Sequence, residues 1–200
     1  MRKKTVIFCT ILFFTFILSA CQSSEWNSQQ EREQINNNQE DEAIETNASK
    51  EKVLVTLMNS EGMQVATATL TEKDTDGVHI VLEGENLPPG EHGFHIHEVG
   101  ECIPPDFESA GGHYNPTNSK HGFEHPEGPH AGDLENIVVN EDGTVYAELD
   151  APMVSLKRDH ENTLFTKAGT SLVIHANPDD YISQPSGNSG KRIACGVIGE

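Results

Sequence analysis

Six histidines and one aspartate carry most of the chemistry this sequence can do. His95 and His97 stand two apart in Gly93-Phe94-His95-Ile96-His97. Residues i and i+2 of a strand point the same way, about 6.5–7 Å apart along the backbone, so both imidazoles can reach one metal ion. His113 follows, and then His121, His130 and Asp133. Three imidazoles and a carboxylate make a tetrahedral set for Zn²⁺. His95, His97 and His175 are three more imidazoles, suited to copper. Two four-coordinate sites need eight bonds, but these residues supply seven ligands. A histidine that binds through both ring nitrogens closes the gap. His113, lying between the two sets in sequence, is the candidate bridge.

The elements that must hold these side chains read as strands. Alternating or apolar runs cover residues 52–58, 64–71, 78–82, 91–97, 137–139, 144–149, 171–175 and 192–198, broken by Gly, Pro and Asn turn signals. Asn140-Glu141-Asp142-Gly143 reads as a hairpin-like connection between two of them. No segment sustains a helical period. The expectation is an all-β domain of about eight strands, a sandwich or a barrel. Two loops break this economy, residues 99–134 and 177–191, and loops of that length in a compact domain are usually functional. The candidate ligands lie in or at the edges of these loops.

Ahead of the domain, the chain reads as an export and anchoring segment. Arg2-Lys3-Lys4 is a basic start, and residues 5–18 form an apolar stretch too short to span a bilayer comfortably. Leu18-Ser19-Ala20-Cys21 resembles the lipobox of bacterial lipoproteins, which implies a signal peptide over residues 1–20 and a lipid on Cys21. The alternative is an ordinary signal peptide followed by a chance cysteine. Residues 21–52 are polar and acidic, with too few large apolar groups to offset the entropy of ordering, so a disordered tether is expected. The folded domain is then residues 53–200, lipid-anchored to the membrane on its extracytoplasmic side. Cys102 and Cys195 are the two cysteines left in it, so one disulfide is possible there, the alternative being two reduced thiols. With 32 acidic against 13 basic residues the net charge is −19, which disfavours nucleic acid and anionic membrane surfaces as partners.

The motifs in order resemble the copper/zinc superoxide dismutase family, in a bacterial lipoprotein form. They are Gly93-Phe94-His95-Ile96-His97, Ala110-Gly111-Gly112-His113-Tyr114-Asn115-Pro116, Lys120-His121-Gly122, His130-Ala131-Gly132-Asp133-Leu134 and Leu172-Val173-Ile174-His175. The last is Gly187-Asn188-Ser189-Gly190-Lys191-Arg192-Ile193-Ala194-Cys195-Gly196-Val197-Ile198. The resemblance implies an eight-stranded Greek-key β-barrel or sandwich that dismutes superoxide to dioxygen and hydrogen peroxide. It implies copper on His95, His97, His113 and His175, and zinc on His113, His121, His130 and Asp133. It further implies Arg192 beside the superoxide anion, His113 as a catalytic proton carrier, Asp179 joining a copper-side to a zinc-side histidine, and a Cys102–Cys195 disulfide. His79, His92, His125 and His160 match no ligand position and read as surface or structural residues.

Two departures from the animal enzymes stand out. The stretch from Cys102 to His113 is longer, with Pro104-Pro105-Asp106-Phe107 inserted, and the segment from Asp179 to Arg192 is shorter, with Lys191 as its one lysine. The charges that focus superoxide in animal members have no clear counterparts here. The rival reading is a non-catalytic zinc- or copper-binding lipoprotein of the same fold. Such a relative is expected to have lost a copper ligand, and none is lost. A copper-buffering protein is a third reading, but Met58, Met63 and Met153 are scattered rather than clustered.

Overall fold

The computed structural model describes residues 51–199. The expected signal peptide, Cys21 and almost all of the expected tether lie outside the described residues. β1 begins at Lys52, one residue before the expected domain boundary.

Among the described residues nine strands form, where about eight were expected: β1 Lys52–Asn59, β2 Gln64–Glu72, β3 Val78–Gly84, β4 Gly90–His92, β5 Phe94–His97, β6 Ile137–Val139, β7 Val145–Ala151, β8 Thr170–His175 and β9 Arg192–Ile198. The extra one arises because Gly93 divides the run 91–97. On one side β4 pairs with β6, and on the other β5 pairs with β8. At the break, Gly93 N–H donates to Asn177 O, and Gly93 O accepts from His175 N–H, so the start of the loop after β8 is tied to it.

Seven strands make one curled antiparallel sheet in the order β5-β8-β9-β1-β2-β3-β7, and β4 with β6 makes a separate ribbon. The turn at residues 140–143 closes as expected, with Asn140 N–H on Thr144 O at 2.8 Å. Its strands nevertheless part, because β6 joins β4 while β7 joins β3. From β7 at one edge the chain crosses to β8 near the other, a Greek-key return.

That return runs through residues 152–169, a third long irregular segment that the strand pattern alone did not single out. A buried carboxylate fixes it: Glu72 on β2 accepts from Ser155 Oγ at 3.0 Å and Leu156 N–H at 2.6 Å. Alternation sets the core. Ala66, Ala68 and Leu70 on β2 and Val78, Ile80 and Leu82 on β3 are buried, while Thr67, Thr69 and Val81 between them are not. A fully buried Leu or Ile contributes roughly 1.5–3 kcal/mol.

β5 and β8 differ, being buried on both faces. Phe94, Ile96, Leu172 and Ile174 enter the main core, whereas Val173 packs on the other side with Phe107, Ala110 and Cys195. That second face carries His95 and His97.

Candidate metal centre

The loop over β5 is fastened strand-fashion, which is how distant ligands reach His95 and His97. Ile96 N–H donates to Gly132 O, its carbonyl accepts from Tyr114 N–H, and Gly132 N–H donates to Tyr114 O, each at 2.8 Å. His97 thereby lies opposite His113, and His95 opposite Asp133. Gly132 has to be glycine, since a Cβ there would come within 2.3 Å of Ile96 O. On the other flank, pairing between β8 and β9 slips by one residue after Ile174, so that His175 faces Arg192 rather than Ile193. This slip brings the last histidine and the arginine to the same end of the sheet.

Two clusters result, sharing His113: His95, His97, His113 and His175, and His113, His121, His130 and Asp133. Within each, the ligand atoms lie within 4.8 Å of one another, and all seven residues are buried. The six histidines and Asp133 expected as ligands are brought together, with Asp179 between the clusters. His95 Nε2–H donates to Asp179 Oδ2 at 2.7 Å and His121 Nε2–H to Asp179 Oδ1 at 3.0 Å.

The hydrogen bonds decide which nitrogens are free. A neutral imidazole has one N–H and one lone pair, so donation from one nitrogen bares the other. His97 Nδ1 donates to Gly111 O and His175 Nδ1 to Gly190 O, which leaves two Nε2 lone pairs facing each other 3.3 Å apart. His95 Nδ1 and His113 Nε2 are buried without any hydrogen-bond partner. In the second cluster Asp133 Oδ1 lies 2.8 Å from His113 Nδ1, 3.1 Å from His121 Nδ1 and 3.3 Å from His130 Nδ1. Its Oδ2 is held by the Gly122 and His130 N–H groups. A buried polar atom without a partner costs on the order of 1–3 kcal/mol. Lone pairs aimed at one another are stable only around a cation. The donor sets fit one ion ligated by four imidazoles and another by three imidazoles and a carboxylate.

Protonation follows burial. Burial first, and then the neighbouring imidazoles, lowers the pKa of His113 and His175 to about 3, while His97 is also held well below its ordinary value. These rings are neutral near pH 7 and able to ligate. His121 goes the other way: burial lowers it, but its contacts with Asp133 and Asp179 outweigh that and raise it to about 9. Asp133 stays ionised, because hydrogen bonds from His113, His121 and His130 overcome the burial that would raise it.

Arg192 is half-buried at the rim. Its Nη1 donates to Phe107 O, and its Nη2 to Gly111 O at 2.6 Å. Both carbonyls belong to the loop that the Cys102–Cys195 disulfide pins to β9, with a Cα–Cα distance of 5.6 Å. Sequence reasoning did not single out these carbonyls, nor Asn136, whose side chain bonds the Asp179 backbone from both sides at 2.9 and 3.0 Å. Backbone acceptors leave no mark in residue type, and no spacing signal points to Asn136. Of the non-ligand histidines, His92 is buried between His175 O and Pro88 O, while His79 sits on the outer face of the sheet near Glu148 and Asp150.

The chain matches the family model described as copper/zinc superoxide dismutase (SODC) over residues 65–198. It is 51% identical over 152 residues to superoxide dismutase [Cu-Zn] 1 of Aquifex aeolicus, covering 76% of this chain and 89% of that protein. Among solved structures, a SOD-like protein from Bacillus subtilis superposes with a TM-score of 0.70 at 46% identity, covering 72% of this chain and 96% of that one. The Cu/Zn superoxide dismutase from Brucella abortus gives a TM-score of 0.62 at 36% identity, covering 74% and 100%. With the ligand clusters, the half-barrel and the matched length all in agreement, the chain belongs to the copper/zinc superoxide dismutase family.

Proposed function

We propose that the protein dismutes superoxide to dioxygen and hydrogen peroxide at a copper ion joined to zinc through His113. The observation that carries this is the pair of clusters sharing one histidine, complete in every ligand. His95, His97, His113 and His175 would hold copper, the first with a free Nδ1 and the others with a free Nε2. His113, His121, His130 and Asp133 would hold zinc, their Nδ1 atoms and Oδ1 already lying together. Bound there, copper would supply the one-electron redox chemistry by which one superoxide is oxidised to dioxygen and a second, with two protons, is reduced to hydrogen peroxide.

The chain's own residues do the rest. Arg192, fixed by two carbonyls, keeps a permanent positive charge where the anion docks. His113 Nε2, buried without a hydrogen-bond partner, is the atom at which one of the two protons would be held and passed on while it is not ligating. Asp179 locks the tautomers of His95 and His121 together, which couples the orientation of the two sites.

The motif at Leu18-Ser19-Ala20-Cys21 supports cleavage before Cys21, lipidation there and a place outside the cytoplasmic membrane, with residues 53–200 as the catalytic domain on a tether. The enzyme then protects the extracytoplasmic face of the cell. Metal analysis and superoxide turnover test the catalytic reading. One copper and one zinc per chain with rapid turnover are expected. The same metal content without turnover would establish the non-catalytic alternative instead.

A further inference from the structure

The cleft in front of Arg192 is lined by Asp106 and Glu108 as well as by Lys191. The two carboxylates flank Phe107, whose carbonyl is the acceptor for Arg192 Nη1. Their placement is fixed by construction. Phe107 is buried in a left-handed backbone conformation (φ 55°), where it opens a short 3-10 turn at Glu108–Ala110. Asp106 Oδ1 accepts from Glu108 N–H at 3.1 Å. Ser109 Oγ accepts from Ile103 N–H at 2.8 Å and donates to Glu101 O at 3.1 Å. Both carboxylates are exposed, and among the described residues neither makes an ion pair. Residues adjacent to the one that touches the guanidinium lie within about a Debye length of it, so their field reaches the anion path.

We propose that Asp106 and Glu108 are specificity-determining residues of the anion site, which oppose Arg192 and Lys191 and so restrain the capture of superoxide and other small monoanions. This rests on the dismutase reading of the site. The segment between Cys102 and His113 therefore does two opposite things: its carbonyls position the guanidinium, and its carboxylates offset that charge. Each exposed charge at this range changes anion encounter by about two- to threefold at low ionic strength, or about four- to tenfold for the pair.

The test uses the full chain loaded with copper and zinc, comparing the wild type with D106N/E108Q. Asparagine keeps the Oδ1 acceptor for Glu108 N–H and removes only charge. Two quantities are measured from low salt to about 1 M, where the Debye length has shrunk to about 3 Å: the second-order rate with superoxide, and azide affinity from the copper absorption spectrum. At low salt the variant is expected to react faster and bind azide tighter, each by about four- to tenfold, with both differences collapsing at high salt. K191Q is expected to shift both in the opposite direction. Unchanged azide affinity at low salt, or a difference that persists unscreened, overturns the proposal while leaving dismutation intact. A wild type with both metals but no turnover, with azide affinity in the variant still responding as stated, overturns the dismutase reading and the superoxide part of this proposal while leaving the two carboxylates as restraints on small monoanions.

Discussion

At the scale of single residues, the site works because His95, His97, His121 and His175 each have one ring nitrogen held by an oxygen that leaves the other free to ligate. Asp179 occupies two of them at once, at 2.7 and 3.0 Å, and is itself buried. Asp179→Asn removes the charge and turns one acceptor into a donor, so zinc affinity is expected to fall about 10–100-fold, measured by chelator competition. His97→Ala is expected to abolish dismutation while zinc remains bound, because His97 belongs to one cluster alone. Loss of zinc in that variant would contradict the partition. Arg192→Ala is expected to slow superoxide capture by about 10–10³-fold, as loss of a focusing charge does. The ligand types and their order were legible in the sequence. What each second nitrogen touches was not, since Gly111 O, Gly190 O and the Phe107 carbonyl carry no residue signature.

At the scale of elements, loops govern the chemistry and strands govern the loops. The loop after β5 runs back along that strand through Ile96, and the loop after β8 returns over Asp179 through Gly187. Gly187 adopts φ 63°, and a Cβ there would come 1.7 Å from Asp179 Oδ1 and 2.7 Å from His121 Nε2. Gly187→Ala is therefore expected to separate Asp179 from His121 and reproduce the zinc loss of Asp179→Asn without touching a ligand. The disulfide closes a 93-residue separation and pins the loop that carries Arg192's acceptors. Cys102→Ser with Cys195→Ser is expected to cost about 2–5 kcal/mol of stability, measured by denaturant unfolding. Turnover should fall further than metal content in that variant, because the arginine loses its support while the ligands keep theirs. Strand positions were legible from alternation. The break at Gly93 and the slip after Ile174 were not, because both depend on which strands become neighbours.

At the scale of the molecule, the buried site makes stability depend on pH in both directions. In the unfolded chain these histidines titrate near 6.5. His113 and His175 fall to about 3 when folded, so between about pH 3 and 6.5 the unfolded state binds more protons. Stability of the metal-free protein is then lost as pH falls below about 6.5. His121 is raised to about 9, so its contribution is full below about 6.5 and lost as pH rises through 9. Thermal melts from pH 4 to 9.5 are expected to peak near neutrality without metal. Loading with zinc should raise the alkaline limb most, since the metal replaces the His121 proton. A metal-free melt independent of pH would refute this account.

The sequence by itself pointed to the ligands, their grouping around a shared His113 and the all-β class through residue type and short-range periodicity, and to the family through the resemblance of its motifs. Residues 99–134 and 177–191 were recognised as functional loops for the same reason, being too long for connectors. The tertiary structure alone decided that Gly93 yields nine strands rather than eight, that β6 and β7 part company, and that residues 152–169 need a buried Glu72 to hold them. It alone decided that Asp106 and Glu108 line the same cleft as Arg192. Those outcomes depend on contacts between segments far apart in the chain. Local propensity does not encode such contacts, and charge and hydrogen bonding act through space rather than along the sequence.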